Sequence, residues 1–311
     1  MITKLKLLIG NFINVFERLT MRGFIDTFKA LHLSVKLIIS PKDDLYDKWH
    51  NLNLNFLQDN LNLDLRDFAK PQNITNYRIW TLWWQGEAQM PPIVKATIES
   101  IKESTNKEVV IITKDNYLEW IELPDCIKER IRTNGIGLAH LSDYIRISLL
   151  CKYGGLWIDS TVYCANRIPE WIYNQTFFTI KASSHSHKYI PMGKWNMQIL
   201  GSNQTNCRIF VYMKYFLEEY WSKYDKPIDY CFFDYGMEIQ YNNDKNSKQL
   251  IDNVPMTNEN MHSLLPILNS TYDEHVFSGL TSNTIFFKLT YKLNFLNQIN
   301  PDSYYAKIIR K

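Results

Sequence analysis

The sequence predicts an α/β fold built on parallel strand pairing, and three stretches predict it. Residues 78–84 and 108–113 are almost continuous apolar runs, the pattern of strands covered on both faces. Between them a helix opens at Pro91 or Pro92, where proline is tolerated in a first turn, and runs to about Ser104. Strand, helix and strand make a β-α-β unit, with a right-handed crossover expected. The third stretch, residues 138–162, reads as a helix, a double-glycine turn and a buried strand. Leu138, Leu141, Ile145 and Leu149 recur at helical spacing, and Gly154 and Gly155 let the chain leave the helix and turn. Residues 156–162 then read as a strand, with Asp159 near its C-terminal end.

The remaining elements follow in chain order. Residues 1–40 read as one or two amphipathic helices. Leu5, Leu8, Phe12, Val15, Phe16 and Leu19 form an apolar stripe, and Lys4, Lys6, Arg18, Arg22, Lys29 and Lys36 outnumber Glu17 and Asp26. Such a segment either lies on an anionic membrane surface or packs its stripe on the main domain, and both readings stand. Pro41 ends the pattern. Residues 42–70 predict another helix, with a linker through Pro71. The division expected is a helical extension over 1–74 and an α/β domain over 75–311. Gln85, Gly86 and Glu87 form the loop after the first strand. Residues 115–133 predict short helices around Pro124, and Phe177, Phe178 and Ile180 mark another strand. Residues 183–195 read as a loop, 207–224 as a helix rich in aromatics, and 242–248 as a polar loop.

Composition excludes several classes. A chain of 311 residues buries a full core, and 11 Gly and 11 Pro argue against low-complexity disorder. A net charge of +3 is too small to point to nucleic acid, and no nucleic-acid-binding signature is present. The five cysteines contain no Cys-x-x-Cys pair, so they read as reduced thiols of a cytosolic protein. No apolar run reaches the length of a membrane span, and Leu7, Leu8 and Ile9 precede no cleavage-site pattern, so neither a span nor a signal peptide is expected. The 9 Trp, 19 Tyr and 16 Phe fill a core, but Tyr and Trp also line sugar and nucleotide sites.

The chemistry concentrates where Asp143, Arg146 and Asp159 meet, if residues 138–162 fold as predicted. In open α/β sheets, ligands sit outside the carboxyl ends of the strands. Carboxylates there hold a divalent cation or accept sugar hydroxyls, and an arginine binds hydroxyls or phosphate. Singly, each has a plainer explanation: Asp143 and Arg146 as an i,i+3 surface pair, Asp159 as a turn cap. His140 reads as a packed helix histidine, and His185-x-His187 is a weak metal signal. His262 is a lone candidate ligand or base. In the cluster Trp80, Trp83 and Trp84, core packing is the plain reading, with Trp84 the best placed to face a ligand.

The joint pattern is more specific. Ser142-Asp143-x-x-Arg146, then Gly154-Gly155-x-Trp157-x-Asp159-x-Thr161, resembles glycosyltransferases with a short Asp-x-Asp motif, and within them the capsular-polysaccharide-synthesis branch. Ile79-Trp80-x-x-Trp83-Trp84-Gln85-Gly86, Trp195-Asn196, Asp229-Tyr230, Asp234-Tyr235 and Lys288-Leu289-Thr290-x-Lys292 support the resemblance, which spans roughly residues 75–293.

The resemblance implies a GT-A fold, a Rossmann-like domain that takes a nucleotide sugar. It implies that Asp143 and Arg146 hold donor-sugar hydroxyls. Trp84, Gln85 and Gly86 would contact the nucleoside, and Lys288 and Lys292 the phosphates. Asp159 would face Mn²⁺ or Mg²⁺, with Thr161 a weak second ligand where many relatives have an aspartate. Phe287 stands where relatives often carry a histidine. Asp234 is the expected polar group near the reacting carbon, or else a turn cap. The activity implied is transfer of a UDP-linked hexose, with retention, to a lipid-linked oligosaccharide at the inner face of the plasma membrane. Two rivals are a protein-modifying glycosyltransferase and a catalytically silent nucleotide-binding scaffold.

Overall fold

The computed structural model describes residues 19–64, 68–183 and 185–310. The basic residues and apolar stripe expected between Lys4 and Arg18 lie outside the described residues, and so does the membrane-contact reading of that stretch. Helix α1 (Leu19–Ile39) bends at Gly23, where φ is 70°. Helix α2 (Asp43–Asn60) begins just after Pro41, with Asp43 and Asp44 in its first turn, where acidic side chains complement the helix dipole. Phe56 and Leu57 of α2 join the main core, so this helix is built into the body that the α/β elements form.

A two-residue strand, β1 (Gln72–Asn73), leads into the predicted unit: β2 (Arg78–Leu82), α3 (Pro92–Glu103) and β3 (Glu108–Ile112). β2 and β3 pair in parallel, Arg78 opposite Glu108 through Leu82 opposite Ile112. The first strand is two residues shorter than the apolar run suggested. Trp83 N–H still donates to Ile112 O at 2.9 Å, but Gly86 N–H then closes a turn onto Trp83 O at 3.0 Å. A short helix α4 (Asp125–Arg132) precedes α5 (Leu138–Tyr153) and β4 (Gly155–Ile158), which is the helix, turn and strand expected.

The predicted strand over 156–162 is in fact two strands. β4 ends at Ile158, residues 159–161 turn, and Val162 N–H closes the turn onto Asp159 O at 2.9 Å. Thr97 of α3 pins it by donating to Ser160 O at 2.6 Å. The chain leaves the main sheet as β5 (Val162–Cys164). β6 (Phe178–Thr179), β7 (Ile199–Ser202) and β8 (Gln204–Thr205) follow. The central sheet has the order β3-β2-β4-β7-β6, with β2 and β4 parallel and β7 antiparallel to both its neighbours, so it is mixed.

Helix α6 (Arg208–Lys223) packs on α5, and α7 (Phe232–Asn243) packs on α6. The expected polar loop at 242–248 is not a loop. α8 (Lys245–Asp252) restarts at once because Asp244 caps it, accepting from Ser247 N–H, while Arg208 donates to the same carboxylate at 2.9 Å. After α9 (Glu274–Thr281) comes β9 (Phe286–Lys288), which pairs antiparallel with β5 and sets Val162 opposite Lys288. β9 divides two cores: Phe286 belongs to the main one, and Phe287 to a second with Ile93, Val94, Leu264 and Tyr304. Tyr304 begins the last helix, α10 (Tyr304–Ile309).

The double glycine is required. Gly154 and Gly155 both have positive φ, 63° and 93°. A Cβ on Gly155 would stand 2.4 Å from Arg78 O and 2.9 Å from Trp80 Nε1. That close approach lets β4 dock beside β2. Strained φ and overpacking each cost about 1–3 kcal/mol, so Gly155→Ala is expected to lose about 2–5 kcal/mol in denaturant unfolding.

Candidate active site

A cleft of about 1500 Å³ opens at the carboxyl ends of β2 and β4. The loop after β2 supplies Trp83, Trp84 and Gln85, helix α5 supplies Ser142, Asp143 and Arg146, and the turn after β4 supplies Asp159 and Thr161. Parallel strands that end together present their following loops to one space, which is why ligands bind there.

The centre of the cleft is a charge cluster. Arg146 Nη1 donates to Asp143 Oδ1 at 3.1 Å, and its Nη2 donates to Asp159 Oδ1 at 3.2 Å. Its guanidinium lies 4.8 Å from the Trp157 ring centre, and the side chain is 7% exposed. Trp157 Nε1 donates to Asp159 Oδ1 at 2.9 Å. Lys288, arriving on β9, donates to Asp159 Oδ2 at 3.1 Å and to Thr161 Oγ1 at 2.6 Å. Burial pushes the Asp159 carboxyl up. The charges of Lys288 and Arg146, with the Trp157 N–H, outweigh it, so the pKa falls below its usual value.

Asp234 has the opposite environment. It lies in the first turn of α7, and its carboxylate accepts a hydrogen bond from Trp195 Nε1 at 2.9 Å. Desolvation raises its pKa to about 7, with Asp143 adding to the rise and Trp195 and Arg146 opposing it. The neighbouring Tyr235 points away, its hydroxyl meeting His50 Nδ1 at 2.9 Å and Asn53 Nδ2 at 2.6 Å on α2. One dipeptide thus serves the cleft with one side chain and anchors α2 with the other.

Most of the residues predicted from sequence come together. Asp143, Arg146, Asp159, Thr161, Trp84, Gln85, Asp234 and Lys292 all line the cleft. Gly86 is not a wall residue; it turns the chain behind Gln85 with φ 87°. Lys288 is engaged by Asp159 and Thr161 rather than free. Of the tryptophans, Trp80 is fully buried, while Trp83 as well as Trp84 reaches the cleft. His140 both packs against Trp221 and Phe232 and lines the cleft. His185 and His187 part company: His185 lines the cleft, and His187 Nδ1 meets Asp47 of α2 at 2.7 Å. His262 lies in the wall with a lowered pKa, through desolvation first and Lys288 second.

These residues make a poor ligand set for a divalent cation. Among the described residues no three His, Cys, Asp or Glu side chains stand close enough to hold a metal ion. Both oxygens of Asp159 already accept hydrogen bonds from cationic groups. Position 287, which could have offered another donor, is Phe287 and is buried in the second core.

A family model described as "Capsular polysaccharide synthesis protein" matches residues 36–308. The chain belongs to that family. The capsular polysaccharide synthesis match begins inside α1 and takes in all of α2, as well as the cleft. Two curated relatives are similar to parts of this family member. The O-glycosyltransferase PaGT of Phomopsis amygdali is 26% identical over 144 residues, 39% of this chain and 36% of that protein. The O-glycosyltransferase braB of Annulohypoxylon truncatum is 25% identical over 123 residues, 33% of this chain and 29% of that protein. The match therefore spans about a third of each curated relative. Among solved structures, the apo structure of the bifunctional glycosyltransferase WbbM aligns over 86% of this chain and 59% of its own, at 10% identity and a TM-score of 0.37.

Several wall residues were not singled out in the sequence. Tyr189, Gln198 and Glu259 reach the cleft from connecting segments, where no periodicity marks which side chain turns inward. Tyr230, 82% exposed at the rim, had only its place in a dipeptide to mark it.

Removing the central cation leaves Asp143 and Asp159 without their shared partner. Arg146→Ala is expected to cost about 3–5 kcal/mol near neutral pH, the penalty for breaking a buried pair, and less in acid where the carboxylates protonate. Urea unfolding at both pH values checks this. Asp234 gives a second test. Because its folded pKa of about 7 exceeds the ordinary carboxylate value of 3.8, the folded state holds a proton that the unfolded chain has lost across that window. Its contribution to stability therefore declines as pH rises from the ordinary carboxylate range to about 7. Asp234→Asn, fixed neutral, is expected to gain stability over the wild type, more at about pH 8 than at about pH 5.

Proposed function

We propose that the chain is a GT-A-type glycosyltransferase of capsular or surface polysaccharide synthesis, transferring a hexose from a UDP-linked donor to a lipid-linked oligosaccharide. The observation that carries this reading is the cluster Asp143–Arg146–Asp159–Lys288 at the carboxyl edge of the parallel strands. Paired carboxylates beside cations suit a ligand that brings sugar hydroxyls and a diphosphate together. The family match supports the pathway class, and the similarity to two fungal O-glycosyltransferases supports transfer to oxygen.

In this reading Asp143 and Arg146 hold sugar hydroxyls, Trp84 and Gln85 contact the nucleoside, and Lys288 and Lys292 face the phosphates. The bond between the anomeric carbon and the phosphate oxygen breaks, its electron pair leaving with the diphosphate. The acceptor hydroxyl oxygen bonds to the anomeric carbon from the same face, and its proton departs with the leaving phosphate oxygen. Configuration is retained. Asp234, once ionised, accepts a hydrogen bond from a hydroxyl next to the reacting carbon. The enzyme works at the inner face of the plasma membrane, where lipid-linked acceptors lie. No helix among the described residues is long and apolar enough to cross a membrane.

The test is a panel of nucleotide sugars, read as protection against thermal unfolding and as donor hydrolysis. A UDP-linked hexose is expected to raise the melting temperature and be slowly hydrolysed. Asp159→Ala is expected to lower turnover about 10²–10³-fold, the usual loss when one charge-organising group is removed. No protection by any nucleoside diphosphate, or an Asp159→Ala variant that turns over like the wild type, would overturn the assignment.

A further inference from the structure

We propose that the Lys288 ammonium occupies the place of the divalent cation, so that the site binds its nucleoside diphosphate without metal. The proposal rests on the donor-site reading above and concerns how that site meets the diphosphate.

Position comes first. A cation bound between the two oxygen donors of the turn would sit against Asp159 Oδ2 and Thr161 Oγ1. The Lys288 Nζ is already there, at 3.1 Å and 2.6 Å. Two unrelated stretches of backbone hold it in place. Lys288 N–H donates to Met261 O at 2.8 Å, and Leu289 N–H donates to Thr161 O at 2.9 Å. The antiparallel pairing of β9 with β5 sets Lys288 directly opposite Val162, the residue after Thr161. The lysine is therefore delivered by sheet register rather than by a free arm.

Charge points the same way. The cluster contains two carboxylates, Asp143 and Asp159, and two fixed cations, Arg146 and Lys288, joined at 3.1–3.2 Å. It is neutral as built. A divalent ion entering it would meet two like charges at close range, with no uncompensated carboxylate to offset them. Thr161 fits this design: its hydroxyl accepts the second hydrogen bond of the Lys288 ammonium, whereas a second aspartate would leave the cluster one negative charge in excess. Phe287 fits too, since it turns a position flanking Lys288 into the second core.

During transfer the ammonium balances the negative charge that gathers on the departing diphosphate. Lys292, on the cleft wall beside Tyr291, adds a second positive charge, and among the described residues it forms no ion pair.

The experiment uses the full chain with UDP, GDP and dTDP as probes, in EDTA and in Mn²⁺, read by calorimetry and thermal shift. The expected result is nucleoside diphosphate binding that agrees within about twofold in the two conditions. Free Mn²⁺, followed by its paramagnetic resonance signal, should not be taken up. Lys288→Ala in EDTA should weaken binding about ten- to a hundredfold, as loss of a charge-assisted contact does, and Lys288→Arg should recover most of it. Binding seen only with Mn²⁺ would overturn the lysine-for-metal proposal and leave the donor site standing. Binding in neither condition would overturn both. An Lys288→Ala variant that folds and binds like the wild type in EDTA would also overturn it.

Discussion

The site depends on one guanidinium. Arg146 is almost fully buried, and burying a charge is tolerated only when it is paired and hydrogen-bonded. Its two terminal nitrogens reach one carboxylate on its own helix and one in the turn after β4, while its flat face lies over the Trp157 ring. That arrangement ties the middle of α5 to the turn that follows β4. It also orients Asp143 and, together with Lys288 and the Trp157 N–H, holds the Asp159 carboxyl below its usual pKa against the effect of burial.

The glycines make this geometry available. With no Cβ, Gly155 passes against the Arg78 carbonyl, and β4 comes down beside β2 with its carboxyl end level with the β2 loop. The turn at 159–161 then faces Trp83 and Trp84 across the same space. Trp157 serves twice. Its ring is core, and its Nε1 is an oriented donor to Asp159, so the packing of the sheet and the aim of the carboxylate are coupled.

Local pattern was enough to read much of this. The helix of 138–153, the break at Gly154 and Gly155, and the meeting of Asp143 with Arg146 rest on contacts within a few residues, and the strands and helix of the β-α-β unit each show in their own periodicity, although the strands pair thirty residues apart. The misreadings share a cause. The strand ended at Ile158 because Thr97, distant in sequence, captures the Ser160 carbonyl. The polar run at 242–248 became two helices because Arg208 and Ser247 satisfy Asp244. In each case a long-range partner or a cap overrode a composition signal. The membership in the capsular polysaccharide synthesis family agrees with the motif resemblance, which was concentrated in the same helix and turn.

What the sequence determined by itself was the identity and spacing of Asp143, Arg146 and Asp159, because a helix, a glycine pair and a short strand convert spacing directly into position. What only the tertiary structure decided was the partner of Asp159. Lys288 lies 129 residues later in the chain, and nothing local links the two. The pairing of β9 with β5 brings them together, and strand register between distant segments is set by how two cores pack on either side of a strand.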